Sequence, residues 1–127
     1  MTDFPLRVWP GRWAACRLAP GDAVPAWATM PAPLSVVART QTELSILVPE
    51  AQVPDDVTSE RGFRVIEVVG PVPFSVTGLI ASLSGPLAAA GISLFAVATY
   101  DTDYVLVKEA ALASAVDVLR ASGFTVL

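Results

Sequence analysis

Asp101 and Asp103 stand two residues apart in ATYDTDYVLVK (Ala98–Lys108), with Thr102 between them and apolar runs on either side. Paired carboxylates can share acid–base work, hold a cation, or accept hydrogen bonds in a turn. Acid–base catalysis asks for a partner that titrates near neutrality, and the chain has no histidine and no nucleophile in this stretch. A hard cation asks for roughly six or more oxygen ligands, which Asp-x-Asp alone does not offer. As a turn, Asp101-Thr102 suits Asx-type hydrogen bonding. Asp103 opens the next apolar run, where it is placed to face a ligand's ammonium group or a subunit interface. Turn and contact both stay open.

The second candidate is FSVTG (Phe74–Gly78), between a β-branched run and an apolar segment of helical spacing. A strand-to-helix junction leaves backbone N–H groups without intrahelical partners, at the positive end of the helix dipole. Such a junction suits a carboxylate. Ser75 or Thr77 is expected to cap the helix, and Gly78 to admit close approach to the backbone. The plainer alternative is an ordinary helix start.

Other residues that could do chemistry are isolated. Trp9, Trp13 and Trp27 all fall within the first 27 residues and read as core or interface rather than a stacking box. Cys16 lies in the apolar run WAACRLAP, where a buried, inert thiol is expected. Ser75 and Ser84 lack a base and a nucleophile-elbow pattern. Arg61 and Arg64 flank a predicted strand and are expected to be solvated.

The 127 residues suffice for one compact domain or two very small ones. Hydrophobic residues make up 54% and charged residues 16%, against a usual ~25% charged. A chain this small cannot hide so much apolar surface alone, which predicts a homodimer or higher homo-oligomer. The net charge of −4 and the lack of a basic patch argue against nucleic acid as a partner. A single thiol fits a reducing compartment. The first residues, MTDFPLRVWPGR, lack the pattern of a signal peptide. No charge occurs from Val68 to Tyr100, but six Pro and Gly residues from Pro71 to Gly91 break that run. It reads as a buried strand–helix–strand unit rather than a membrane span.

The elements that must position these residues follow from periodicity. FRVIEVVG (Phe63–Gly70) reads as a strand. LIASLSGPLAAAG reads as a helix with Leu79, Ile80, Leu83, Leu87 and Ala90 near one face, kinked or broken at Pro86 and stopped at Gly91. ISLFAVATY and YVLVKE make a hairpin, and AALASAVDVLRASG a second helix. FTVL (Phe124–Leu127) makes a closing strand. This order is β-α-β-β-α-β, an α+β, ferredoxin-like plan. Upstream, LRVW and RWAACRLAP read as strands around Pro10-Gly11, VPAWA as at most one helical turn, and PLSVVART with ELSILVPE as a hairpin. QVPDDVTSERG reads as the linker. The two hairpins echo each other sixty positions apart, with Ala38 against Ala98, Thr42 against Thr102 and Ile46 against Leu106. That predicts an old duplication.

From Glu60 to Phe124 the chain resembles an ACT domain, the ferredoxin-like module that binds amino acids and regulates metabolic enzymes. GPVPFSVTGLIASLSGPLAAAGIS and ATYDTDYVLVK carry the resemblance most strongly. They are similar to free-standing bacterial ACT-domain proteins, a family that includes the CASTOR-type arginine sensors. TQTELSILVPEAQVP is similar to the first half of those proteins, although the N-terminal half lacks a full first helix and a loop matching FSVTG. The resemblance implies two tandem ACT-like units, a degenerate one over residues 1–58 and an ACT domain over 59–127. It implies a cytoplasmic, non-catalytic regulatory protein without cofactor or metal, taking a small-molecule effector, an amino acid, with no nucleic-acid or membrane partner. The alternative is an ACT-like interaction module with no ligand. Carried over residue by residue, the site comprises Phe74, Ser75, Val76, Thr77 and Gly78 with Tyr100, Asp101, Thr102 and Asp103.

Overall fold

A computed structural model describes residues 3–127. They form two compact units. One spans Gly11–Phe63; the other joins Arg64–Leu127 to the N-terminal segment through Pro10. Among the described residues there are seven strands: β1 (Leu6–Val8), β2 (Trp13–Leu18), β3 (Val36–Arg39), β4 (Leu44–Pro49), β5 (Ser59–Val68), β6 (Phe95–Ala98) and β7 (Asp103–Lys108). Two α-helices, α1 (Leu79–Ala89) and α2 (Leu112–Ala121), complete an α+β fold with antiparallel strand pairs.

In the second unit the strands run in the order β6-β7-β5, with β1 along the other side of β5. α1 and α2 cover one face. The spacing read from sequence places Leu79, Leu83 and Leu87 in the core, against Ile66, Val68, Val105, Val107, Ala115 and Leu119. Each fully buried leucine contributes roughly 1.5–3 kcal/mol of transfer free energy. Ile80 and Ala90, expected on the same face, are exposed. Of the kink or break expected at Pro86, the break does not occur: α1 runs through that residue. Pro86 lies in the last turn, and its carbonyl accepts the Ala90 N–H at 3.1 Å, so it serves the helix end.

The edge of this unit departs from the expected plan. In a split βαβ sheet the closing strand lies beside the first strand. Here β1 takes that position, pairing Leu6 with Val68, Arg7 with Glu67 and Val8 with Ile66. The FTVL segment is reduced to a parallel bridge from Val126 to Leu6, tied by Leu6 N–H to Thr125 O and Leu127 N–H to Leu6 O, both 2.8 Å. β1 therefore does not pair with β2 around Pro10-Gly11. Leu6 is fully buried in the second unit's core.

In the first unit, β2 lies between β4 and the start of β5, and β3 flanks β4. Its core gathers Ala14, Cys16, Ala28, Leu44, Ile46, Val48 and Val53. The only helical element between β2 and β3 is the 3-10 turn Ala26–Ala28. β5 begins at Ser59, four residues before the expected strand, so the linker is shorter than its polarity suggested. Arg61 is not solvated: it donates to the Glu50, Val53 and Pro54 carbonyls at 3.1–3.2 Å.

Each unit contains a hairpin followed by a 3-10 turn, at Glu50–Gln52 and at Glu109–Ala111. Arg39 pairs with Leu44 in one hairpin and Ala98 with Asp103 in the other, so each encloses a four-residue turn. The equivalence runs at an offset of fifty-nine residues, not the sixty that matched letters suggest. Thr40 is thus the counterpart of Thr99, and Glu43 of Thr102.

Candidate functional site

The turn after β6 is closed by Thr99, whose backbone N–H and hydroxyl both donate to the Thr102 carbonyl, at 2.9 and 3.0 Å. Thr102 is buried, and its hydroxyl donates to the carbonyl of Val68, the last residue of β5, at 2.6 Å. The Val72 N–H donates to the Asp101 carbonyl at 2.6 Å. Gly70 sits between these bonds. A Cβ there would lie 2.8 Å from the Val72 nitrogen and 3.0 Å from the Asp101 oxygen, so glycine is required by space. The loop leaving β5 and the turn leaving β6 are thereby held side by side.

Between them lies a pocket of about 160 Å³. Its loop wall is Val72, Pro73, Phe74, Val76 and Leu79; its turn wall is Ala98, Thr99, Tyr100, Thr102 and Asp103. A neighbouring pocket of about 260 Å³ shares Val72, Pro73, Phe74 and Tyr100 and adds Pro71 and Asp101. Phe74 and Tyr100 meet edge to face, centroids 5.0 Å apart, yet are 75% and 81% exposed. The pair lies at the surface and is not part of the core.

Of the residues expected from sequence, Phe74, Val76, Tyr100, Thr102 and Asp103 line the first pocket and Asp101 the second. Ser75, Thr77 and Gly78 line neither. The Val76 N–H donates to the Pro73 carbonyl, making a turn that presents Phe74 and Val76 to the pocket. The expected cap is absent: α1 starts from Gly78 without any side-chain cap. Gly78 is left-handed, at φ +80°, and open space surrounds its Cβ direction. Glycine is needed there for its backbone, not for close approach. Val72, Pro73, Leu79, Ala98 and Thr99 were not singled out from sequence. Thr99 carried a signal, the Thr40 that opens the other hairpin's turn.

The first residue of α1, Leu79, and the first of β7, Asp103, stand on opposite walls. A helix start presents N–H groups with a positive dipole end; a carboxylate accepts from cations. The pocket therefore borders a helix start and a carboxylate. It is below the ~300 Å³ at which drug-sized sites begin.

Elsewhere in this unit, Tyr104 packs edge to face on Trp9 at 5.4 Å, and Trp9 Nε1–H donates to Glu67 Oε1 at 3.1 Å. Burial, then the negative charges of Glu67 and Asp101, push the Tyr104 phenol up from its ordinary value. Arg64, expected in solvent, is half-buried, donates to the Trp9 carbonyl at 3.1 Å and pairs with Glu109 at 3.6 Å. In the first unit, the buried Trp13 donates to the Leu34 carbonyl at 3.0 Å, and Trp27 packs against the core. Cys16 is buried, and burial pushes its thiol up, opposed by Arg61. Among the described residues, no group of three or more Cys, Asp or Glu could hold a metal ion, and no helix is long and apolar enough to cross a membrane.

The α+β unit with two helices resembles ACT regulatory domains in fold. The ACT domain family model matches residues 58–121, and a second family model, described as an N-terminal domain, matches residues 11–56. The chain belongs to the ACT domain family. Human cytosolic arginine sensor for mTORC1 subunit 1 is 38% identical over 66 residues, covering 50% of this chain and 20% of that protein; the mouse protein is 35% identical over the same length. This chain therefore matches about one fifth of the length of those relatives. A crystal structure of an Agobacterium tumefaciens protein superposes with a TM-score of 0.93 at 32% identity, covering 100% of this chain and 94% of that one. The ligand-free regulatory subunit of Thermus thermophilus aspartate kinase has a TM-score of 0.60 at 11% identity, covering 97% and 96%, a likeness of fold.

Proposed function

We propose that this protein is a non-catalytic, cytoplasmic regulatory module that binds a free amino acid in the pocket between Val72–Leu79 and Ala98–Asp103. The observation that supports the reading is a pocket of about 160 Å³, lined by both α1's first residue and Asp103, within an ACT domain. An α-amino acid bears one carboxylate and one ammonium at fixed separation, and the two walls match those charges. Phe74 and Tyr100, with Asp101 beside them, suit a cationic side chain. L-arginine is the first candidate, since the relatives are named as arginine sensors. The related hairpins support reading the chain as two tandem ACT-like units, the first degenerate, over residues 1–58 and 59–127. The apolar composition supports a homo-oligomer.

The test is a thermal-shift screen of the twenty amino acids, because a ligand bound only by the native state stabilises it by about 2.7 kcal/mol at a hundred times its Kd. One amino acid, arginine first, should raise the melting temperature. Asp103→Asn should weaken its binding about tenfold by removing a charge-assisted bond. A flat screen ends the ligand reading and leaves the exposed Phe74–Tyr100 pair as a contact for another protein.

A further inference from the structure

Thr102 is the one polar side chain among the described residues that is buried, and it stands next to the pocket without pointing a charge at it. Its hydroxyl bond to Val68 O, at 2.6 Å, ties the turn wall to the strand from which the loop wall departs. The Val72–Asp101 bond, also 2.6 Å, repeats the tie four residues further along the chain from Val68. Gly70 lets the two backbones approach this closely. At the other end of the same walls the exposed rings of Phe74 and Tyr100 meet edge to face. One end of the pocket is pinned by short hydrogen bonds and a steric fit; the other carries an exposed ring contact.

We propose that Thr102 is a positioning residue, whose buried hydroxyl fixes the gap between the two walls and confines opening to the Phe74–Tyr100 end. This rests on the amino-acid-binding reading of the same pocket. A buried hydroxyl donor has few alternatives to its acceptor, so the bond persists when the pocket is empty. The walls then pivot about the Val68–Thr102 end. A ligand enters by separating two rings rather than by unzipping the hairpin, and meets a gap whose width is already set.

Amide hydrogen exchange on the ligand-free protein, with L-arginine titration beside it, tests this. Thr102→Val keeps the shape and removes the donor; Thr102→Ser keeps the donor. In Thr102→Val the Val72 and Thr99 amides should exchange about tenfold faster while Leu106, within β7, keeps its rate. Arginine affinity should fall about tenfold in the valine variant and stay within about twofold in the serine variant. Gly70→Ala, which forces a methyl against Val72 and Asp101, should speed the Val72 amide with Thr102 intact, and gives the same reading should the valine variant not fold. Unchanged Val72 exchange in Thr102→Val, or in Gly70→Ala if that variant alone folds, overturns the proposal. So does an affinity loss in the serine variant equal to that in the valine variant. If no amino acid binds the wild type, the binding reading fails, whereas the exchange rates still decide whether Thr102 pins the walls.

Discussion

In the hairpin of β3 and β4, the Thr40 N–H donates to the Glu43 carbonyl at 2.9 Å and the Glu43 N–H to the Thr40 hydroxyl at 3.1 Å. In the hairpin of β6 and β7, Thr99 and Thr102 make the same two bonds at 2.9 and 3.4 Å. The backbone of the turn is therefore specified by one threonine at its first position, which supplies both a donor and an acceptor. The remaining positions differ. Gln41, Thr42, Glu43 and Leu44 of the first hairpin correspond to Tyr100, Asp101, Thr102 and Asp103 of the second. The first hairpin is tied to the chain after β2 by Arg39, which donates to the Pro20 carbonyl. The second is tied to the end of β5 by the buried Thr102 hydroxyl, and a pocket opens beside it. One turn geometry thus accommodates two different sets of side chains, and in the second unit it lines a cavity.

The largest effects should come from exchanging residues at the position that opens the last strand of each hairpin. Leu44 is fully buried among Ile46, Val48 and Val53, whereas its counterpart Asp103 is half-buried on the pocket wall. Leu44→Asp places a carboxylate where no partner exists and should cost about 3–5 kcal/mol, seen as a large drop in melting temperature. Asp103→Leu should leave melting within a few degrees and abolish amino-acid stabilisation. Equal melting losses in the two variants would break the comparison, because both positions would then be structural.

Much of this was legible beforehand, and the gaps have physical causes. The β-branched run of β5 and the leucine spacing of α1 are local patterns, and the structure follows them. The destination of β1 is not local: three residues, Leu6–Val8, carry no signal that they pair with Val68 to Ile66 rather than with their sequence neighbour. The turn and loop flanking the pocket were both visible, because polar residues interrupt apolar runs there. Which side chains face inward was not, since the Val76–Pro73 bond sets the loop's alternation and no residue type announces it. Thr102 read as a turn residue. Its burial follows from the space left by Gly70, a contact across more than thirty residues of sequence.

A smaller effect separates the connections that precede the hairpins. β2 reaches β3 through a single 3-10 turn preceded by Pro25, while β5 reaches β6 through α1. The start of α1 depends on Gly78 at φ +80° and not on a capping side chain. Gly78→Ala should therefore destabilise by about 1–2 kcal/mol, the left-handed penalty for a residue with a Cβ. Ser75→Ala should change stability by less than about 0.5 kcal/mol, against ~1 kcal/mol for a true cap. Chemical denaturation of both variants gives the two numbers, and a costly Ser75→Ala would restore the cap that the sequence suggested.

The smallest effect lies in a titration that only one hairpin possesses. Tyr104 is the counterpart of Ser45, so a phenol packed on Trp9 stands where the first hairpin has a hydroxyl that does not titrate. Burial disfavours the phenolate, and Glu67 and Asp101 repel it, so the folded protein holds the Tyr104 proton to higher pH than the unfolded chain does. Between the two values the folded state carries more protons, and stability falls as pH rises. The contribution is complete below the ordinary tyrosine value of about 10 and is lost progressively above it. Melting temperature followed upward from pH 9 should fall less steeply in Tyr104→Phe than in the wild type. The chain has two tyrosines, so ultraviolet titration of Tyr100→Phe reports Tyr104 alone. Ionisation at or below the value of a free tyrosine would mean that the Trp9–Tyr104 contact does not shield the phenol.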